Sequence, residues 1–415
     1  MPNTPLRNFY PVVVLLMLAA CGGSSSSGQT YTIAGDISGL TSGDVVLANG
    51  TSTLTVTAGE SSWQFPSAFA QGSLYLVAVQ TQPAGEMCLV TGGASGKLTA
   101  DVTGVTVACS EGLWTWEGGS SASSGGGVYG TQGTGSTSNL PGARESASSW
   151  TDSAGNLWLF GGYGYASSIL GDLNDLWQYS PSTGEWTWIS GTSALNATGV
   201  YGMQNAASPS NLPGARQQAS AWIDSSGNLW LFGGYGYDST HNADLNDLWQ
   251  YSSTTGEWTW VSGSDVGNAN GSYGAQGSPS TSNVPGAREG ATSWIDSSGS
   301  LWLFGGYGHD SAGAVGNLND LWRYNPNTGA WTWISGANTV NAAGAYGTAG
   351  VESGSNAPGG RQAASSWIDS SGNLWLFGGY GDDSAGNEGD LNDLWQYSPS
   401  TGEWTWISGA DTVKA

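Results

Sequence analysis

One string of residues recurs through most of this chain and limits what it can fold into. The triplet Trp-Thr-Trp begins at Trp114, Trp186, Trp258, Trp331 and Trp404, so it returns every 72 or 73 residues. Between successive triplets the same motifs return four times in one order: Pro-Gly-x-Arg, Trp-x-Asp, Leu-Trp-Leu-Phe-Gly-Gly-Tyr-Gly, Leu-Asn-Asp-Leu-Trp-x-Tyr, and Thr-Gly-x-Trp. A repeat of this length cannot bury an apolar face alone, so neighbouring copies must stack.

Within each copy, four short apolar-alternating runs are separated by turn residues. In the second copy they are 219–223, 229–232, 247–251 and 258–261. The linkers 224–228 and 252–256 are rich in Gly, Ser, Thr and Asp, which predicts tight hairpins. Four antiparallel strands per copy make the blade of an all-β propeller.

The motifs resemble kelch repeats. Kelch blades carry a Gly-Gly pair after the second strand, an aromatic on the third and a Trp on the fourth. Here these are Gly161-Gly162, Gly233-Gly234, Gly305-Gly306 and Gly378-Gly379, with Tyr179, Tyr251, Tyr324 and Tyr397 and the Trp triplets. The chain departs where many kelch repeats have His after the Arg. The resemblance implies a kelch-type propeller over residues 111–415, with four repeats of 72–73 residues. There are five Trp triplets for four copies of the other strands, so about four blades are expected in an open or incomplete array.

Several repeated residues have structural readings. Glycine pairs permit close backbone approach where strands converge. Of 23 Trp residues, 22 lie in the repeats, as stacked sheets require. Four of only eight basic residues, Arg144, Arg216, Arg288 and Arg361, share one repeat position. The expected partners are Asp175, Asp247, Asp320 and Asp393, in buried bidentate contacts. An inward Arg ring binding an anion is the alternative.

Linkers after strands one and three leave one face of the array, and those after strands two and four leave the other. The first set is nearly invariant. The second includes stretches of about 30 residues around Tyr129, Tyr201, Tyr273 and Tyr346, and the differing segments 165–170, 237–243, 309–315 and 382–388. Loops that vary on a rigid scaffold mark a binding face. Its candidate residues are Tyr165, Tyr237, Asp238, His241, His309, Asp310, Asp382 and Asp383, aromatics and acids suited to a sugar or a protein. Acidic Gly-rich loops also suit Ca²⁺, but no EF-hand spacing occurs, so neither a cofactor nor a metal site is expected.

Galactose oxidase-like copper-radical chemistry needs a Cys crosslinked to Tyr and two His ligands. The repeats hold no Cys, which excludes it, and no hydrolytic triad, phosphate loop or zinc motif occurs. A non-catalytic binding protein is the leading expectation; a sialic acid mutarotase-like enzyme and a purely structural envelope protein are the alternatives.

The amino terminus reads as an export signal. Arg7 precedes an apolar run, 11–20, that is too short to span a bilayer. Leu18-Ala19-Ala20-Cys21 resembles a bacterial lipobox, which implies cleavage after residue 20 and lipidation of Cys21. Residues 22–29 are a Gly/Ser tether, and Gly22 in place of Asp favours the outer membrane or cell surface. Export leaves Cys88 and Cys109 to form a disulfide, contributing roughly 3 kcal/mol. Residues 30–110 hold seven short strand patterns, expected as a small β-sandwich, and resemble a domain found behind lipoprotein signals. A net charge of −23 repels phosphate backbones, so no nucleic acid is expected and the lipid anchor is the only membrane contact.

Overall fold

The computed structural model describes residues 29–111 and 116–413. The signal segment, Cys21, nearly all of the tether and Trp114 lie outside the described residues. The chain divides into two compact units, Met1–Trp116 and Glu117–Ala415. The boundary falls later than residue 110 because the strand Val102–Glu111 belongs wholly to the first unit. Strands and turns are the regular structure throughout, with no helix among the described residues.

In the first unit, two four-stranded sheets enclose one core containing Ile33, Val45, Leu47 and Val105. One sheet holds Ser62–Gln64, Ile33–Ser38, Val102–Glu111 and Glu86–Gly92 in spatial order. Cys88 and Cys109 face each other across its last two strands and are joined by a disulfide.

The second unit repeats one antiparallel meander four times, an arrangement consistent with propeller blades. In the second blade the strands are Ser220–Ile223, Leu229–Tyr237, Asn242–Ser252 and Glu257–Ser262. Strands two and three are longer than their apolar patterns, because the ladder continues through a bulge at Gly233-Gly234. Both glycines have φ values, 65° and 95°, that favour residues without Cβ. A Cβ on Gly233 would lie 2.8 Å from the Arg288 carbonyl oxygen of the next blade. The Asp of each Trp-x-Asp motif shapes the first hairpin: Asp224 accepts bonds from the Ser226 and Asn228 amides and from Trp230 Nε1.

The stretches of about 30 residues are not free loops. Each wraps the outer edge of the blade that follows it in sequence: Ser208 bridges to Trp258, and Asn211 Nδ2 donates to the Trp258 carbonyl at 3.0 Å. This covers an edge strand that would otherwise offer unpaired backbone groups.

Blades stack through large flat side chains. Trp158 and Phe160 of the first blade meet Tyr251 and Trp258 of the second at ring distances of 6.1 and 5.5 Å. The same pairs recur between the second and third blades and between the third and fourth. A backbone ladder runs along the innermost strands, where Gln218, Gly290 and Ala363 each donate an N–H to the preceding blade. The four residues of that ladder, Ser146 included, all have φ between 54° and 62°. No hydrogen bond joins the fourth blade back to the first among the described residues, so the array is open.

Candidate binding face

The repeated arginines and aspartates meet within each blade. Arg216 Nη1 and Nη2 lie 2.6 and 2.7 Å from the two carboxylate oxygens of Asp247, and both side chains are fully buried. The guanidinium also donates to the carbonyls of Gly214 and Gly233. Asp247 Oδ2 accepts further bonds from Trp249 Nε1 and from the Tyr201 hydroxyl, each at 2.7 Å. Arg144–Asp175, Arg288–Asp320 and Arg361–Asp393 repeat this geometry. Burial alone would raise the Asp393 carboxyl, but the hydrogen bonds and charge of Arg361 hold it below its usual range. Burial and the Asp247 charge push the Tyr201 phenol far above its own. Four of the five guanidinium N–H groups are spent inside the blade and the charge is matched by the carboxylate, so these residues organise the blade rather than hold an anion. Tyr129, Tyr273 and Tyr346 make the same hydroxyl–carboxylate bond, which removes all four tyrosines from the binding face.

Loops after strands two and four do share a face, and they are bonded to each other. Ser239 N donates to the Asp265 carbonyl, Ser311 N to Asn338 and Ser384 N to Asp411. The aspartates expected to face a ligand or Ca²⁺ do something else. Asp238, Asp310 and Asp383 are buried. Asp310 Oδ1 accepts the Ala312 and Ala314 amides, and Asp383 Oδ1 accepts those of Ala385 and Asn387. Asp238 binds the His241 amide and, across the face, the Gly267 amide at 2.7 Å. Backbone bonds to Asn387 hold the Asp383 carboxyl down at about 2. Short side-chain caps of this kind are what a tight acidic turn needs. Of the remaining candidates, His241 is half exposed beside Asp238, and Tyr165 and Tyr237 are half-buried at the ends of their strands.

No family model matches the chain. No curated protein matches it either. Among solved structures it is similar to that of YjhT, at 15% identity and a TM-score of 0.38, covering 64% of this chain and 66% of that one. The chain thus spans about two thirds of YjhT.

Between the blades, on the loop face, lie polar seams that take in two of the expected residues, His309 and Asp382, together with partners that the sequence reading missed. In the first, Asn242 Nδ2 donates to Asp172 Oδ2 at 3.2 Å. In the second, His309 Nε2 lies 3.6 Å from Asp244 Oδ2, with Glu289 close enough to be raised by the Asp244 charge. In the third, Asn317 Nδ2 donates to Glu388 at 2.9 Å beside Asp382, which is buried. Burial raises the carboxyls of Asp172, Asp244 and Asp382 to about 6, and burial plus Asp244 raises Glu289 to about 7. Burial lowers the His309 imidazole, against the opposing charge of Asp310. Asp172 Oδ1, Asn242 Oδ1, Asn317 Oδ1 and Asp382 Oδ2 are buried acceptors without a donor. The available signal was the residue two before each Asn-Asp, which reads Asp172, Asp244, Asn317 and Asp390. Among the described residues, no three or more His, Cys, Asp or Glu converge as metal ligands.

Proposed function

We propose that the chain is an exported, non-catalytic envelope lipoprotein, anchored through Cys21, whose kelch-type blades bind a glycan or a protein on the loop face. The first unit, read as a β-sandwich, serves as the spacer from the membrane. One observation carries the binding reading: the seams differ from blade to blade on a face whose loops are locked together, while the hairpins opposite are nearly alike. The seams set carboxylates, amides and an imidazole side by side, a polar set suited to a ligand rich in hydroxyl groups. A glycan array and pull-downs with the full chain test this. Replacing His309 and Asp382 by Tyr makes the four strand-two ends alike. The double variant is expected to lose the ligand; retention with unchanged affinity would sink the reading.

The mutarotase-like alternative has one observation in its favour. Asp244 and Glu289 share one seam with His309, and burial raises both carboxyls toward the range that suits proton transfer near neutrality. Sugar anomer exchange followed by NMR, lost in Glu289→Gln, would establish it over simple binding.

A further inference from the structure

The two end blades expose opposite halves of an interface that the chain builds three times internally. In the second and third blades all four residues of Leu-Trp-Leu-Phe are buried, because each sheet is covered on both sides. In the fourth blade Leu374 and Leu376 are buried against the third, but Phe377 is 44% and Trp367 45% exposed. In the first blade the pattern inverts: Trp158 and Phe160 are buried against the second blade, while Leu157 is 43% exposed. Leu157 and Leu159, with Tyr179 and Trp186, line an open, largely apolar hollow of about 320 Å³ beside Leu140 and Pro141.

We infer that the occupant of each open face is a second copy of this chain, the first blade of one copy stacking on the fourth blade of the other. The complementarity is that of an interface already on the page. Trp375 and Phe377 would meet the partner's Tyr179 and Trp186, as Trp302 and Phe304 meet Tyr397 and Trp404 at 5.7 and 5.4 Å. The backbone is set for the same step. Ala363 donates its N–H to Gly290, and among the described residues nothing donates to the Ala363 carbonyl. Ser146 at the other end holds φ 56°, the conformation of its equivalents inside the ladder. Exposed apolar side chains clustered on one face mark an association site, and because the two faces differ the contact is heterologous, joining copies head to tail. The net charge of −23 opposes association, so near-physiological salt of about 0.15 M is needed to screen it.

Sedimentation velocity on the full chain over a wide concentration range tests the inference. The wild-type chain is expected to self-associate. Phe377→Glu spoils only the fourth-blade face and Leu159→Glu only the first-blade face, so each variant alone is expected to lose association completely. Mixed, the two retain one good face each and are expected to form a one-to-one dimer and nothing larger. That dimer also shows that both variants are folded. A wild-type chain that stays monomeric at every concentration, or a mixture that fails to dimerise while wild type associates, overturns the inference.

Discussion

The third and fourth blades carry almost the same residues and live in different surroundings. Trp294 is 4% exposed and its equivalent Trp367 is 45% exposed; Phe304 is 0% and Phe377 44%. The hydrophobic pattern is identical, so burial is decided by whether another blade follows. Stability in such an array is a sum of blade and interface contributions, and an end blade lacks one interface. The Arg–Asp cluster behaves oppositely, because it closes within each blade and is buried at both ends of the array.

This contrast gives a ranked set of expectations. The largest effect belongs to the cluster that does not depend on position. Arg144→Ala and Arg288→Ala each strand a buried carboxylate, Asp175 or Asp320, and should cost about 3–5 kcal/mol by denaturant unfolding. A tolerated Arg144→Ala beside a damaging Arg288→Ala would show that the cluster too depends on neighbours. Next come the stacking residues, where position should matter most. Phe304→Ala should cost about 3–5 kcal/mol, as expected for a large buried aromatic. Phe377→Ala should cost about 1 kcal/mol or less at concentrations where the chain is monomeric.

Glycine substitutions sharpen the same point at smaller scale. Gly305→Ala and Gly378→Ala share a backbone strain of about 1–3 kcal/mol, since both have φ near 65°. Only the first drives a Cβ to 2.6 Å from the carbonyl of the next blade's Arg361, so its melting temperature should fall further. The pH dependence draws on a different set of groups. Asp172, Asp244 and Asp382 at about 6 and Glu289 at about 7 are raised in the folded state, which therefore holds protons that the unfolded chain has released. Their contribution is complete below pH about 4 and is lost as pH rises through 6 to 7. Thermal melts should show that decline, and the double variant Asp244→Asn, Glu289→Gln should flatten it; an unchanged slope would remove these groups from the explanation.

The blade itself was legible in the sequence because period-two patterning, turn residues and the repeat all agree. The Arg and Asp partners were legible because Arg, scarce in a chain with eight cations, returns at one repeat position and an Asp returns with it in each copy. The ends of strands two and three were not, since Gly-Gly reads as a break whereas the ladder passes through it as a bulge. Nor was the role of Asp238, Asp310 and Asp383, because an acid that caps its own turn and an acid that faces a ligand look alike in a polar segment. His309 and Asp382 were legible as candidates but their partners were not: Asp244 and His309 are 65 residues apart and meet only when two blades stack.

The central claim is that four nearly equal blades form an open array with a buried interior and a bare end. The most direct test places a single Cys at Phe160, Phe232, Phe304 or Phe377 in a Cys21→Ser background and follows native-state thiol labelling in dilute solution. Fast labelling is expected at position 377 and strong protection at the other three. Equal protection at all four would contradict it, because it would mean that the fourth blade is covered within the same chain.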